Sequence, residues 1–115
     1  MNNTINKSIK YYISGAVTTD KNYREKFSLA EKNLKARGFK VLNPIKGEKD
    51  GKVWSYYMRK DLKKLLKCDG IVLLQDWFIS DGARLELTVA EAFGMEVLQF
   101  DTIYGTLTKE IKSKS

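Results

Sequence analysis

Histidine is absent from this 115-residue sequence, and cysteine and proline occur once each. The lack of histidine excludes Ser-His-Asp and Cys-His nucleophile systems, histidine-ligated zinc and histidine general bases. Since Cys68 is the only cysteine, it forms no internal disulfide bond, which suits a reducing cytoplasm. Acid–base chemistry in this protein must therefore come from carboxylates, tyrosines or lysines.

Two phosphate-binding motifs are also missing. The sequence contains no Walker-type Gly-Lys-Ser/Thr loop, and Ser14-Gly15 is not part of a Gly-x-Gly-x-x-Gly dinucleotide motif. These absences argue against nucleoside triphosphate hydrolysis and against hydride transfer. We therefore expect neither a metal nor a cofactor.

Long apolar runs are lacking as well. No segment approaches the roughly 18 apolar residues of a membrane span. The first seven residues have no long apolar stretch after their first charge, unlike a secretory signal. We therefore expect a cytoplasmic protein that does not bind membranes. Its length fits one domain over residues 1–115, with flexible ends at 1–8 and 113–115.

Positive charge is in excess. The net charge is +7 and the isoelectric point is near 9.5, which favours anionic partners such as nucleotides, nucleic acid or acidic proteins. Much of the excess comes from one helical segment and the tail, at Lys60, Lys63, Lys64, Lys67, Lys109, Lys112 and Lys114. These lysines form either solvated faces or, less favoured, a surface for a polyanion.

Hydrophobic periodicity predicts alternating strands and helices without internal repeats. The predicted strands are 9–14, 39–42, 70–75 and 96–100. The predicted helices are 22–37, 54–67, 81–93 and a short closing helix at 106–112. Residues 45–53, with two glycines and mixed charges, are predicted to form a flexible loop. This pattern predicts a single-domain, flavodoxin-like α/β fold with four to five strands, order 2-1-3-4, and helices on both faces of a parallel sheet.

The segment SDGARLE, residues 80–86, follows the most apolar predicted strand. Ser80 can cap the next helix, and the small residues Gly82 and Ala83 leave room for a ligand near the first-turn N–H groups. Glu86 then lies near the same helix end. With the order 2-1-3-4, the loops that begin at Gly15 and Asp76 should meet at the ligand crevice.

Four fragments together resemble the nucleoside 2-deoxyribosyltransferase-like superfamily. They are YYISG at 11–15, RKD at 59–61, CDG at 68–70 and the SxGAxxE pattern at 80–86. The resemblance covers roughly residues 9 to 100. The superfamily includes 2′-deoxynucleoside 5′-monophosphate N-hydrolases and a small phage and bacterial branch.

The resemblance implies cleavage or transfer at the N-glycosidic bond of a 2′-deoxynucleoside or its 5′-monophosphate. Glu86 matches the family's nucleophile, which forms a glycosyl-enzyme ester, and Asp61 matches the aspartate that assists proton transfer to the leaving base. Tyr12 matches the tyrosine that orients the nucleophile, and Ser80 matches a phosphate-contacting serine. We expect Ser14, Gly15, Gly82 and Ala83 to contact the substrate with them. The family also implies a homo-oligomer whose neighbouring chain completes the site.

Several of these residues also have structural interpretations. Glu86 could be a surface glutamate favoured by the helix dipole, and Asp61 could simply pair with Lys64. Tyr12 could be a core aromatic, although its neighbour Tyr11 must point to the opposite face. Trp77, with the next residue Phe78, could stack on a nucleobase, cover the core or form an oligomer contact. The segment 54–57, WSYY, is interpreted as packing or as a lid over the base.

The first-strand loop departs from the small branch. That branch has Ser-Gly-Pro followed by Met-Thr-Gly, whereas this chain has SGAVTT at 14–19. Asp81, beside Ser80, would repel a 5′-phosphate unless Arg84 or a lysine offsets it, which favours a nucleoside, a base or a differently placed phosphate. Two other function classes stay open: a nucleotide or nucleotide-signal binding protein without turnover on the same fold, and a basic module that binds nucleic acid or an acidic partner.

Overall fold

The computed structural model describes residues 4–109 as five strands and three α-helices. The strands are β1 (Lys10–Ser14), β2 (Lys40–Leu42), β3 (Gly70–Leu74), β4 (Glu96–Phe100) and β5 (Leu107–Lys109). The helices are α1 (Tyr23–Ala36), α2 (Trp54–Leu65) and α3 (Asp81–Ala92), and a single 3-10 turn spans Trp77–Ile79.

The strands form one sheet in the order β2-β1-β3-β4-β5. The first four strands are parallel, and β5 pairs with β4 in the antiparallel direction. The predicted α/β fold and strand order 2-1-3-4 are therefore confirmed. The reversal of strand order lies between β1 and β3, which are neighbours in the sheet.

Helices cover both faces of the sheet, as predicted. Alternate residues of β1 enter different cores, with Tyr11 under α1 and Tyr12 under α2 and α3. Both tyrosine side chains are fully buried. The central strand β3 is buried along its whole length because helices cover it on both sides.

The predicted closing helix at 106–112 is wrong for residues 107–109, which form β5. The chain reverses after β4 because Asp101 accepts hydrogen bonds from the N–H groups of Ile103 and Tyr104, at 2.7 and 3.1 Å. Gly105 completes the turn with a φ of +74°. The turn returns the chain beside the free edge of β4, and residues 110–112 lie outside the described part.

The loops after β1 and β3 meet, as the predicted strand order requires. The Ala16 N–H donates to Asp76 Oδ1 at 3.1 Å, and Asp76 lies two residues beyond β3. Within residues 4–109, no helix has the length and apolar character needed to cross a membrane. The predicted flexibility of 1–3 and 113–115 concerns residues outside the described range.

Candidate active site

A cavity of about 350 Å³ opens at the carboxyl end of β1. Its wall is formed by β1 and the loop that follows, the start of α1, the loop between β2 and α2, one side of α2 and the first turns of α3. This is the edge of the sheet at which open α/β folds place their ligands. Seven of the nine predicted site residues line it: Tyr12, Gly15, Asp61, Ser80, Gly82, Ala83 and Glu86.

Glu86 projects from α3 and is only 5% exposed. Each of its carboxylate oxygens accepts a hydroxyl hydrogen bond of 2.6 Å, Oε2 from Tyr12 and Oε1 from Ser14. The two donors lie two residues apart on β1, so the pleat of the strand presents both hydroxyls to the same face. Ser14 therefore contacts Glu86 rather than the cavity directly. The interpretation of Glu86 as a surface residue is wrong.

Burial governs the protonation of the Glu86 carboxyl group. Burial raises the pKa of Glu86 to about 7, while the hydrogen bonds from Ser14 and Tyr12 oppose the rise because they stabilise the ionised form. The pKa of Tyr12 is raised well above its usual value by burial and then by the charge of Glu86. Tyr12 therefore keeps its proton and remains a donor to Glu86.

A second carboxyl group, Asp61 of α2, lies in the same cavity. Burial raises the pKa of Asp61 to about 8. The neighbouring Glu48, which can accept a hydrogen bond from the protonated Asp61, and the charges of Glu48 and Glu86 add to this rise, and Lys64 opposes it. Asp61 is therefore protonated in the range where Glu86 becomes ionised. The structure thus brings two carboxyl groups with raised pKa values to one cavity.

Glu48 was not identified from the sequence, because it lies in the segment 45–53 that was interpreted only as a flexible loop. Its side chain is 10% exposed and lines the cavity next to Asp61. A positional signal did exist, since the loop begins at the carboxyl end of β2, the same sheet edge as the other site residues. Lys64 contacts both carboxyl groups, at 3.7 Å from Glu48 and 4.0 Å from Asp61. Lys64 is therefore not one of the solvated lysines.

The first turn of α3 is capped as predicted. Ser80 Oγ accepts a 3.1 Å hydrogen bond from the Ala83 N–H, which satisfies one free donor of the helix end. A Cβ at Gly82 would lie 3.2 Å from Met58 Sδ, so the glycine allows α2 to approach the cavity rim. Asp81 forms an ion pair with Arg84. This pair partly offsets the charge of Asp81 beside Ser80.

A buried lysine holds the loop after β1. Lys26 is 8% exposed and binds Asp20 at 2.8 Å, Asp76 at shorter range and the carbonyl of Ala16 at 2.9 Å. These contacts join α1 to the ends of β1 and β3, and the loop next to Gly15 forms part of the cavity wall. The sequence carries no evident signal for Lys26, because lysine on an amphipathic helix is ordinarily exposed.

Trp77 is not brought to the cavity. The 3-10 turn after β3 directs its side chain toward the core under α2 and α3, where it packs half-buried. Besides the buried Tyr12 and Phe27, the aromatic side chains in the wall are Trp54 and Tyr57 of α2 and Tyr23 of α1. Trp54 is 52% exposed, whereas Tyr57 binds the loop through a 2.5 Å hydrogen bond to the carbonyl of Lys49. Trp54 is thus the most exposed of the aromatic groups on the wall.

The cavity wall is acidic although the protein is basic. Among residues 4–109, its charged side chains are five carboxylic acids and two bases: Glu48, Asp50, Asp61, Asp81, Glu86, Arg24 and Lys49. Arg24 is already paired with Asp50 at 2.7 Å. Acidic residues therefore outnumber basic residues in the wall, although the whole chain carries a net charge of +7.

Comparisons with known proteins agree with this fold. The chain is similar to the solved structure of a 2-deoxyribosyltransferase from the psychrotolerant bacterium Bacillus psychrosaccharolyticus, with a TM-score of 0.62 and 20% sequence identity. The similarity covers 90% of this chain and 77% of the other, and it confirms the shared fold expected from the resemblance. No curated protein matches the chain. A family model described as a domain of unknown function, DUF4406, matches residues 9–99. Because this match spans most of the sequence, the chain belongs to the DUF4406 family.

Proposed function

We propose that this protein breaks the N-glycosidic bond of a 2′-deoxynucleoside with Glu86 as the nucleophile. The observation that carries the proposal is the Glu86 carboxylate, buried in a cavity and held by two hydroxyl donors at 2.6 Å, with the Asp61 carboxyl group, whose pKa burial raises to about 8, in the same wall. Cleavage of such a bond needs an ionised carboxylate at the anomeric carbon and a proton for the leaving base. Glu86 and Asp61 meet these two requirements. The similarity to a 2-deoxyribosyltransferase supports the same reaction class.

The reaction proceeds in two balanced steps. A Glu86 oxygen bonds to the anomeric carbon, the bond from that carbon to the base nitrogen breaks, and its electron pair stays on the base. Asp61 supplies the proton that neutralises the base. Water or a second base then attacks the anomeric carbon, the ester bond to Glu86 breaks, and Asp61 takes up the proton of the attacking group. Attack by water gives hydrolysis, and attack by a second base gives transfer.

The charges of the wall favour a nucleoside over its 5′-monophosphate. A phosphate monoester carries close to two negative charges at pH 7 and would lie in the same cavity as the ionised Glu86. The wall's Arg24 is already paired with Asp50, at 2.7 Å. We therefore propose an uncharged substrate, with Trp54 stacking on its base.

The test measures the release of free base by chromatography. Deoxynucleosides and their 5′-monophosphates are incubated with the protein, with and without a second base. We expect release from nucleosides, and loss of at least about a thousandfold in Glu86→Ala. Glu91→Gln, an exposed position on the same helix, serves as the control and should keep full activity.

Intact-mass measurement under substrate excess should show a deoxyribosyl adduct on Glu86. Thermal stabilisation by a nucleoside without base release or adduct would contradict the enzymatic proposal and indicate a binding protein. Preference for monophosphates would contradict the assignment of the substrate class. The homo-oligomer implied by the resemblance stays a prediction, tested by sedimentation of the active protein.

A further inference from the structure

Two buried carboxyl oxygens in the cavity wall have no hydrogen-bond partner of the ordinary kind. Within residues 4–109, Glu48 Oε2 and Asp61 Oδ1 are the buried side-chain oxygens left without a donor. A buried acceptor without a donor is costly, and two adjacent carboxylates cannot both be ionised cheaply. One proton between them satisfies both oxygens, because a protonated carboxyl group is a donor.

We propose that Glu48 and Asp61 share a single proton, and that Glu48 is the positioning residue that keeps this proton available for the leaving base. The proposal rests on the function proposed above, in which Asp61 is the acid. Glu48 itself need not touch the substrate. It acts by making ionisation of Asp61 unfavourable until the base accepts the proton.

The groups that face this pair come from every neighbouring element. Lys64 of α2 lies 3.7 Å from Glu48 and 4.0 Å from Asp61, and its shortest contact is a 2.5 Å hydrogen bond to the carbonyl of Pro44. This cation balances the one negative charge that the pair keeps. Glu86 of α3 and Tyr12 of β1 complete the surroundings, and the negative charge of Glu86 also disfavours ionisation of Asp61.

This arrangement couples proton release to nucleophilic attack. Before the reaction, Glu86 carries one negative charge and the pair carries one. When Glu86 forms the ester, it loses its charge, so the pair can give its proton to the base and carry two. The total charge of the three groups stays at two negative charges throughout, which avoids a large electrostatic cost in a buried site. Attack at the anomeric carbon therefore makes the pair more acidic at the moment when the base needs the proton.

The direct test is a carbon-13 NMR titration of the side-chain carboxyl groups in the full chain, with Asp61 assigned from Asp61→Asn. In the wild type, Asp61 should titrate far above ordinary aspartates. Glu48→Gln should lower the Asp61 midpoint by about one pH unit or more, because it removes the shared proton and the neighbouring charge. Glu86→Gln should lower it too, since it mimics the charge lost on ester formation. Lys64→Met should raise it.

The pH profile of base release should shift in the same directions as the Asp61 midpoint. The alkaline limb should move to lower pH in Glu48→Gln and to higher pH in Lys64→Met, with Glu91→Gln unchanged. If Glu48 were only structural, Glu48→Gln would lower turnover at every pH without moving the alkaline limb of the profile. An ordinary Asp61 midpoint in the wild type, or an unchanged midpoint in folded Glu48→Gln, would overturn the inference. Absence of base release in a wild type that shows the shared proton would instead refute the proposed function alone.

Discussion

The hydroxyl of Tyr12 donates a 2.6 Å hydrogen bond to Oε2 of Glu86, across 74 residues of sequence. The contact joins the first strand to the last helix of the fold and is fully buried. Ser14, two residues along the strand, makes the matching bond to the other oxygen. The carboxylate is therefore oriented by the strand, while its protonation depends on burial.

The roles proposed for Glu86 and Asp61 predict a bell-shaped pH dependence of kcat/KM. Activity should rise as Glu86 loses its proton near pH 7 and fall as Asp61 loses its proton near pH 8. The optimum should lie between these values. A rate profile from pH 5 to 10 checks this, and activity that keeps rising above pH 9 would contradict the role of Asp61 as the acid.

Tyr12→Phe should move the acid limb of that profile to higher pH. Loss of a donor to an ionised group costs about 1.5–3 kcal/mol, so the pKa of Glu86 should rise by about one pH unit or more. Tyr11→Phe is the matched control, because the Tyr11 hydroxyl binds the Asn6 carbonyl on the other face of the sheet. Equal shifts in both variants would show that Tyr12 acts only through packing.

Glu86→Gln should stabilise the fold at alkaline pH and not at acidic pH. The pKa of Glu86 is raised in the folded state from its ordinary 4.5 to about 7, so the folded state binds more protons than the unfolded state between these values. Stability is therefore lost as the pH rises through this window, by roughly 3 kcal/mol in total. Urea unfolding at pH 4 and pH 8 measures the difference between variant and wild type, and a pH-independent difference would contradict the shifted pKa.

Trp54→Ala and Trp77→Ala should separate binding from stability. Loss of a stacking aromatic costs about 1–3 kcal/mol in affinity, so Trp54→Ala should raise the nucleoside Kd about tenfold with little effect on unfolding. Trp77→Ala should lower the free energy of unfolding by about 1–3 kcal/mol and leave Kd near the wild-type value, because Trp77 packs against the core. Calorimetry and urea unfolding measure the two effects. A raised Kd in Trp77→Ala with an unchanged free energy of unfolding would instead show that Trp77 contacts the nucleoside.

Gly70→Ala should destabilise the protein. A Cβ at this position would lie 2.4 and 2.5 Å from carbon atoms of the Tyr11 ring, which is fixed in the core. Overpacking of this kind costs about 1–3 kcal/mol. Gly82→Ala is the control for stability, since the one tight contact of its methyl group is with the flexible end of Met58 at 3.2 Å, and its other neighbours lie at 3.9 Å. Similar unfolding free energies for both variants would refute the packing role of Gly70.

The sheet and its helices could be predicted because their signals are local. Apolar spacing distinguishes strands from helices, and short connections between parallel strands restrict the strand order. The strand at 107–109 could not be predicted from local patterns, because a three-residue strand has no periodicity of its own. It forms because it pairs with the edge of β4. The position of the Trp77 side chain could not be predicted for a related reason, since an aromatic residue after a strand can turn toward the core or toward the ligand.

By itself, the sequence determined the fold class, the absence of histidine chemistry and the position of the helix that carries Glu86. These depend on residue types and on spacing within single elements. Only the tertiary structure decided that Glu48 joins Asp61, that Lys64 turns inward and that the cavity is acidic in a basic protein. Burial, hydrogen-bond partners and pKa values arise when side chains from distant segments leave water together, and no local pattern encodes that environment.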